Sequence, residues 1–135
     1  IGGGPGGYDF DSGIADKNTN QWYRACSGAG GNLYPYGNTF EPGRCNDALA
    51  MVGGRVDVGS LPDCWGSAPG LFDINGNVFE LVDACEGDGD DALCLRRGGS
   101  FKTDLAKDER CDLMSPRPRS ARFDYVGTRC CADLP

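Results

Sequence analysis

Eight cysteines in a 135-residue chain without a single histidine limit this sequence more than any other feature. They are Cys26, Cys45, Cys64, Cys85, Cys94, Cys111, Cys130 and Cys131. No two stand as Cys-x-x-Cys, and they are spread too evenly to bring four thiolates onto one zinc ion. Such spacing in a small chain reads as disulfides formed in an oxidising compartment, so an extracytoplasmic location is expected: periplasmic, cell-surface or secreted. The lack of histidine removes the commonest general base and every imidazole metal site.

The length suits one domain and is too short for two good cores. With 22 glycines and 8 prolines, turns and loops are favoured over long helices. The net charge of −7 repels phosphate backbones, which makes nucleic acid a poor partner. No run of about 18 apolar residues is present, so no membrane span is expected. The chain starts at Ile1 without a recognisable signal peptide, as a processed protein or a piece of a longer one would.

Residues 1–15 read as a glycine-rich lead-in, and residues 16–135 as the domain proper. Gly2 to Gly7 lack the Lys-Ser/Thr and the preceding strand of a phosphate loop. A short helix is expected over Asp16–Cys26, capped by Asn18, Thr19 or Asn20, with Trp22, Tyr23 and Ala25 on its buried side and Gly28–Gly31 ending it. Asn77–Val82 alternates apolar and polar residues as a strand does. Leu93–Phe101 is a second strand candidate, with Gly98-Gly99 marking a bulge or close backbone packing. Tyr125–Cys131 is a last one. Asp88, Asp90 and Asp91 sit in an acidic turn whose glycine and distal glutamate are misplaced for a calcium loop.

The turn Asp73-Ile74-Asn75-Gly76-Asn77-Val78-Phe79-Glu80 has two carboxylates flanking glycine and asparagine. Its residues alone allow two readings. One is an ordinary turn entering a strand. The other is a cluster of side-chain and carbonyl oxygens around a hard cation.

Several motifs carry a family resemblance. Gln21-Trp22-Tyr23-Arg24-Ala25-Cys26-Ser27-Gly28, Tyr34-Pro35-Tyr36-Gly37-Asn38, Val58-Gly59-Ser60-Leu61-Pro62, Gly70 through Leu81, Arg97-Gly98-Gly99-Ser100-Phe101 and Gly127-Thr128-Arg129-Cys130 stand in the order found in formylglycine-generating-enzyme (sulfatase-modifying factor) domains. The resemblance runs from Asp16 to Asp133 and covers the C-terminal half of that domain. It implies an α+β, C-type-lectin-like fold, loop-rich, with short antiparallel strands.

The resemblance also bears on chemistry. The family's enzymes use two cysteines after the Arg-Gly-Gly-Ser motif to hold copper and activate oxygen. Here those positions are Thr103 and Asp108, which supply no soft thiolate. The histidine cluster of the iron-dependent branch is missing as well. No catalytic residues are therefore assigned, and no formylglycine-generating activity is expected. For calcium, the family pattern implies side-chain oxygens from Asp73 and Glu80 and carbonyls from Gly76 and Val78, which favours a structural Ca2+. The family's helix cysteine pairs with one after the Arg-Gly-Gly-Ser segment, which implies Cys26–Cys111. Local spacing adds Cys45–Cys64 and Cys85–Cys94, each worth about 2–4 kcal/mol. Cys130 and Cys131 are left for an interface or for external pairing, because the half to which the family's closing cysteine reaches lies outside this chain.

The function expected from these observations is a non-catalytic structural or binding domain outside the cytoplasm, an accessory subunit of a larger assembly. Its partner would be another protein or an N-terminal segment of the same protein. The alternative is a divergent oxidoreductase of the same family, with Cys130 or Cys131 as the reactive thiol.

Overall fold

The computed structural model describes residues 13–130. Residues 1–12 of the expected lead-in, and Cys131, lie outside the described residues. The expected lead-in extends to residue 15, yet Ile14 is 5% exposed and belongs to the core. The packed domain therefore already includes Ile14.

Helix α1 spans Gln21–Ser27 and starts after the last of the three expected caps, so Asp16–Thr19 lie outside it. Asp16 keeps that segment in a turn. Its carbonyl accepts from Thr19 N at 3.2 Å and Asn20 N at 2.8 Å, and its carboxylate accepts from Asn18 N at 2.8 Å. Such local side-chain bonding competes with a helix and leaves a turn. Asn20 is the cap, its side chain accepting from Tyr23 N at 2.8 Å. Gly28, at φ 65°, closes the helix by donating to Arg24 O. Seven residues are too few to hold a helix by propensity. Trp22, Cys26 and Ser27 hold it by burial.

Strands β1 (Phe79–Glu86), β2 (Leu93–Arg97), β3 (Ser115–Pro118) and β4 (Val126–Thr128) form one sheet in the order β3-β2-β1-β4. Most of the remaining described chain is turn and loop. β1 and β2 form the hairpin around the acidic turn, and β2 ends where Gly98 and Gly99 both take positive φ. A Cβ on Gly98 would lie 2.6 Å from Ile74 O, so the backbone there requires glycine. Two features differ from expectation. β3 is a strand despite Pro116 and Pro118, which is tolerated at an edge where ladder donors are not needed. And β4 runs parallel to β1, so the sheet is mixed rather than antiparallel. The long excursion through β2 and β3 is the crossover that parallel pairing requires.

Val82 and Ala84 of β1 and Leu95 of β2 face α1 and close a small core with Ile14, Trp22, Ile74 and the Cys26–Cys111 bridge. Three disulfides are present: Cys26–Cys111 with S–S 2.08 Å, Cys45–Cys64 with 2.09 Å and Cys85–Cys94 with 2.08 Å. All three are the expected pairs. Arg97 is fully buried beneath Trp22, its guanidinium 4.6 Å from the ring centroid, and it donates to Ile14 O and Cys111 O. It thereby ties the segment before α1 to the bridge.

Glu109, 1% exposed, has Oε1 buried without a hydrogen-bond partner. Burial, with Asp47 and Asp108 nearby, pushes its carboxyl well above the ordinary range. The folded chain therefore holds this proton more tightly than the unfolded chain. The stabilisation is complete below the ordinary carboxyl value near 4.5 and is lost as pH rises through the folded value. Glu109→Gln removes this dependence, so the stability of the variant relative to the native protein is expected to rise as the pH goes from 4 to 8. Urea unfolding of both proteins between pH 4 and pH 8 measures it. If the difference between them does not change with pH, Glu109 ionises freely in the folded state.

Candidate functional site

The turn between Asp73 and Glu80 is built to be rigid. Asp73, Gly76 and Asn77 all take positive φ. Asn75 donates to Glu109 O at 2.6 Å, and the Asn77 amide exchanges bonds with Val56 N and O at 3.0 and 3.1 Å. Asn77 Oδ1 also accepts from Asn46 Nδ2 at 3.2 Å. A Cβ on Gly76 would lie 2.8 Å from Asn46 O, so the Asn46 backbone presses directly on the turn.

Asp73 and Glu80, the two carboxylates expected to hold calcium, both have protein partners in the folded chain. Glu80 accepts from Trp22 Nε1 at 2.7 Å and from Arg129 Nε at 2.8 and 3.0 Å, and forms an ion pair with Arg129 Nη2 at 2.6 Å. Arg129 Nη2 also donates to Phe72 O at 2.8 Å. Arg129 is therefore the cation paired with the Glu80 carboxylate in this arrangement. Asp73 accepts from Gly59 N at 2.7 Å through one oxygen, while its Oδ1 is buried without a partner. Burial raises the Asp73 carboxyl, against the opposing pulls of the Gly59 amide and Arg129. Gly76 and Val78 lie in the same turn, between the two carboxylates. The sequence could not show that an arginine 49 positions away pairs with Glu80.

Thr103 and Asp108 line one open cavity of about 440 Å3, so the positions the family resemblance singled out do come together. Both side chains have local partners. Thr103 Oγ1 accepts from Ser100 N at 2.9 Å, and Thr103 N donates to Ser100 O at 2.8 Å, closing the turn after β2. Asp108 forms an ion pair with Lys107 at 3.3 Å. The rest of the wall mixes charges: Lys102, bonded to Asp124 at 2.7 Å, Asp104, Arg96 and Arg117, with Phe79 and Tyr125 as the aromatic part.

Sequence reasoning missed Arg96, which joins this cavity to the outer face of the sheet. It is 4% exposed, and its guanidinium carbon lies 4.2 Å from the Phe79 centroid and 5.2 Å from those of Phe123 and Tyr125. Nε donates to Ser115 Oγ at 3.2 Å, whereas Nη1 is buried without a partner. Desolvation lowers its pKa. Cys130 is exposed with a free thiol.

Residues 18–134 match the model of the sulfatase-modifying factor enzyme 1-like domain. Among solved structures the chain is similar to the crystal structure of CarF, with a TM-score of 0.57 and 18% identity. That match covers 79% of this chain and 42% of CarF, so the chain spans less than half of that neighbour's length. At this identity the likeness is one of fold. No curated protein matches the sequence significantly.

Proposed function

This chain belongs to the sulfatase-modifying factor enzyme 1-like domain family, and within it we propose a non-catalytic binding or structural domain, accessory to a larger assembly outside the cytoplasm. The observation that carries the reading is the pair Thr103 and Asp108 in one cavity. Copper-dependent oxygen chemistry needs two soft thiolates, and a hydroxyl engaged by Ser100 N and a carboxylate paired with Lys107 are hard, weakly nucleophilic substitutes. Three disulfides support the oxidising location. The C-type-lectin-like label is part of the same proposal. It suits a scaffold whose stapled loops present a recognition surface.

A divergent oxidoreductase has one observation in its favour, the exposed thiol of Cys130. Incubating the oxidised protein with a sulfatase-type cysteine peptide, copper(I) and oxygen, with the peptide followed by mass spectrometry, separates the two. The expected result is an unchanged peptide. Conversion of its cysteine that disappears on alkylating Cys130 would establish the oxidoreductase instead.

A further inference from the structure

The outer face of the sheet carries an unpaired basic groove. In an antiparallel ladder, directly opposed residues share a face, and here Leu81 opposes Arg96 while Cys94 opposes Arg117. These residues therefore point away from the core face of Val82 and Leu95. Beside them lies a groove of about 290 Å3 with Leu81, Phe123 and Val126 as its apolar part. Four arginines line it: Arg96, Arg117, Arg119 and Arg122. No carboxylate does.

The chain has 20 Asp and Glu against 13 Lys and Arg, so carboxylates are plentiful. Yet none of these four arginines is in an ion pair among the described residues. Arg117 donates to Pro116 O at 2.7 Å, and Arg122 to Arg119 O at 3.0 Å and Ala121 O at 3.2 Å, all backbone acceptors within three residues. Arg96 adds a buried Nη1 donor without a partner. Buried donors are normally satisfied, and clustered cations in an acidic protein repel one another unless an anion joins them.

From this we infer that the groove docks an acidic peptide segment of a partner protein, one whose carboxylates flank an aliphatic or aromatic side chain. The inference rests on the binding reading above and names its surface. The floor asks for an apolar side chain and the rim for carboxylates, a combination that a simple inorganic anion does not offer. Arginine forks suit planar carboxylates in particular. Strand addition at this edge is disfavoured because Pro116 and Pro118 in β3 have no N–H to pair. Recognition must therefore come from side chains, which is what the groove provides.

Fluorescence anisotropy with the labelled, terminally blocked peptide Glu-Glu-Leu-Phe-Glu-Glu tests this on the full oxidised chain. Saturable binding is expected, weakening as NaCl rises from about 50 to about 300 mM. The glutamine analogue of the peptide, and the exposed double substitution Arg117→Gln/Arg122→Gln, are each expected to weaken it at least about tenfold. Thermal melts confirm that the variant remains folded. No binding, equal binding of the glutamine peptide, or full affinity in the variant would each overturn the proposal. Displacement by hexanoate at equal concentration would assign the groove to small organic anions. Concentration-dependent dimerisation abolished by the same substitutions would assign it to a second copy. Turnover of the cysteine peptide would overturn the non-catalytic reading alone and leave the groove result standing.

Discussion

Replacing Cys26 and Cys111 together by alanine is expected to cost this domain about 4–5 kcal/mol, more than removing either other bridge. The bridge joins residues 85 apart, against 19 for Cys45–Cys64 and 9 for Cys85–Cys94. Loop-closure entropy grows with that separation, so the longest loop constrains the unfolded chain most, and the shortest is expected to contribute about 2–3 kcal/mol. Packing adds to the entropy term. Both sulfurs are fully buried in the core cluster, and removing them leaves a void between α1 and the segment after β2. The same segment offers the Cys111 carbonyl to Arg97, so loosening it also removes an acceptor from a buried guanidinium. Against a typical total of about 5–15 kcal/mol, this single loss leaves a marginal domain. Urea unfolding of the three double-alanine variants gives the ranking. If the Cys85–Cys94 variant proves as unstable as the Cys26–Cys111 variant, loop closure is not what these bridges contribute.

What the sequence disclosed, and what it withheld, follows the range of each interaction. The helix cap, the β1–β2 hairpin and the Cys45–Cys64 and Cys85–Cys94 pairs rest on patterns within about twenty residues, and those are legible. The Cys26–Cys111 bridge spans too much chain to be read locally and came from the family pattern. β3 was hidden because Pro116 and Pro118 weigh against a strand, and only its edge position makes them acceptable. The parallel pairing of β4 was hidden because strand direction depends on the path of the intervening chain. The site divides in the same way. Thr103 and Asp108, the positions the family pattern singled out, line one cavity. Arg96 became visible only once three aromatic rings had been folded around it. The run from Ser115 to Phe123, with three arginines and no acid, was the one available signal for the groove, and it has no periodicity to mark it.

Arg129→Met is expected to destabilise the protein by about 2–4 kcal/mol, because it leaves Glu80 buried with its negative charge uncompensated. The Glu80 side chain is 6% exposed and that of Arg129 is 23% exposed, so the cost falls somewhat below that of a fully enclosed pair. The pair does more than cancel charge. Through Phe72 O and Glu80, Arg129 links both ends of the rigid turn to β4, and Glu80 in turn orients Trp22 in the core. Glu80→Gln is expected to cost less, since an amide oxygen still accepts from Trp22 Nε1 and no bare carboxylate remains. The double variant Glu80→Gln/Arg129→Met should then be more stable than Arg129→Met alone, a positive coupling that a merely exposed surface pair does not give. The same arrangement predicts the response to chelation. If Arg129 supplies the cation of this turn, EDTA leaves the melting temperature of the native protein unchanged. A fall of several degrees that calcium chloride reverses would show that the oxygens of Asp73, Gly76, Val78 and Glu80 rearrange around a metal ion in solution, and that Arg129 is displaced when they do.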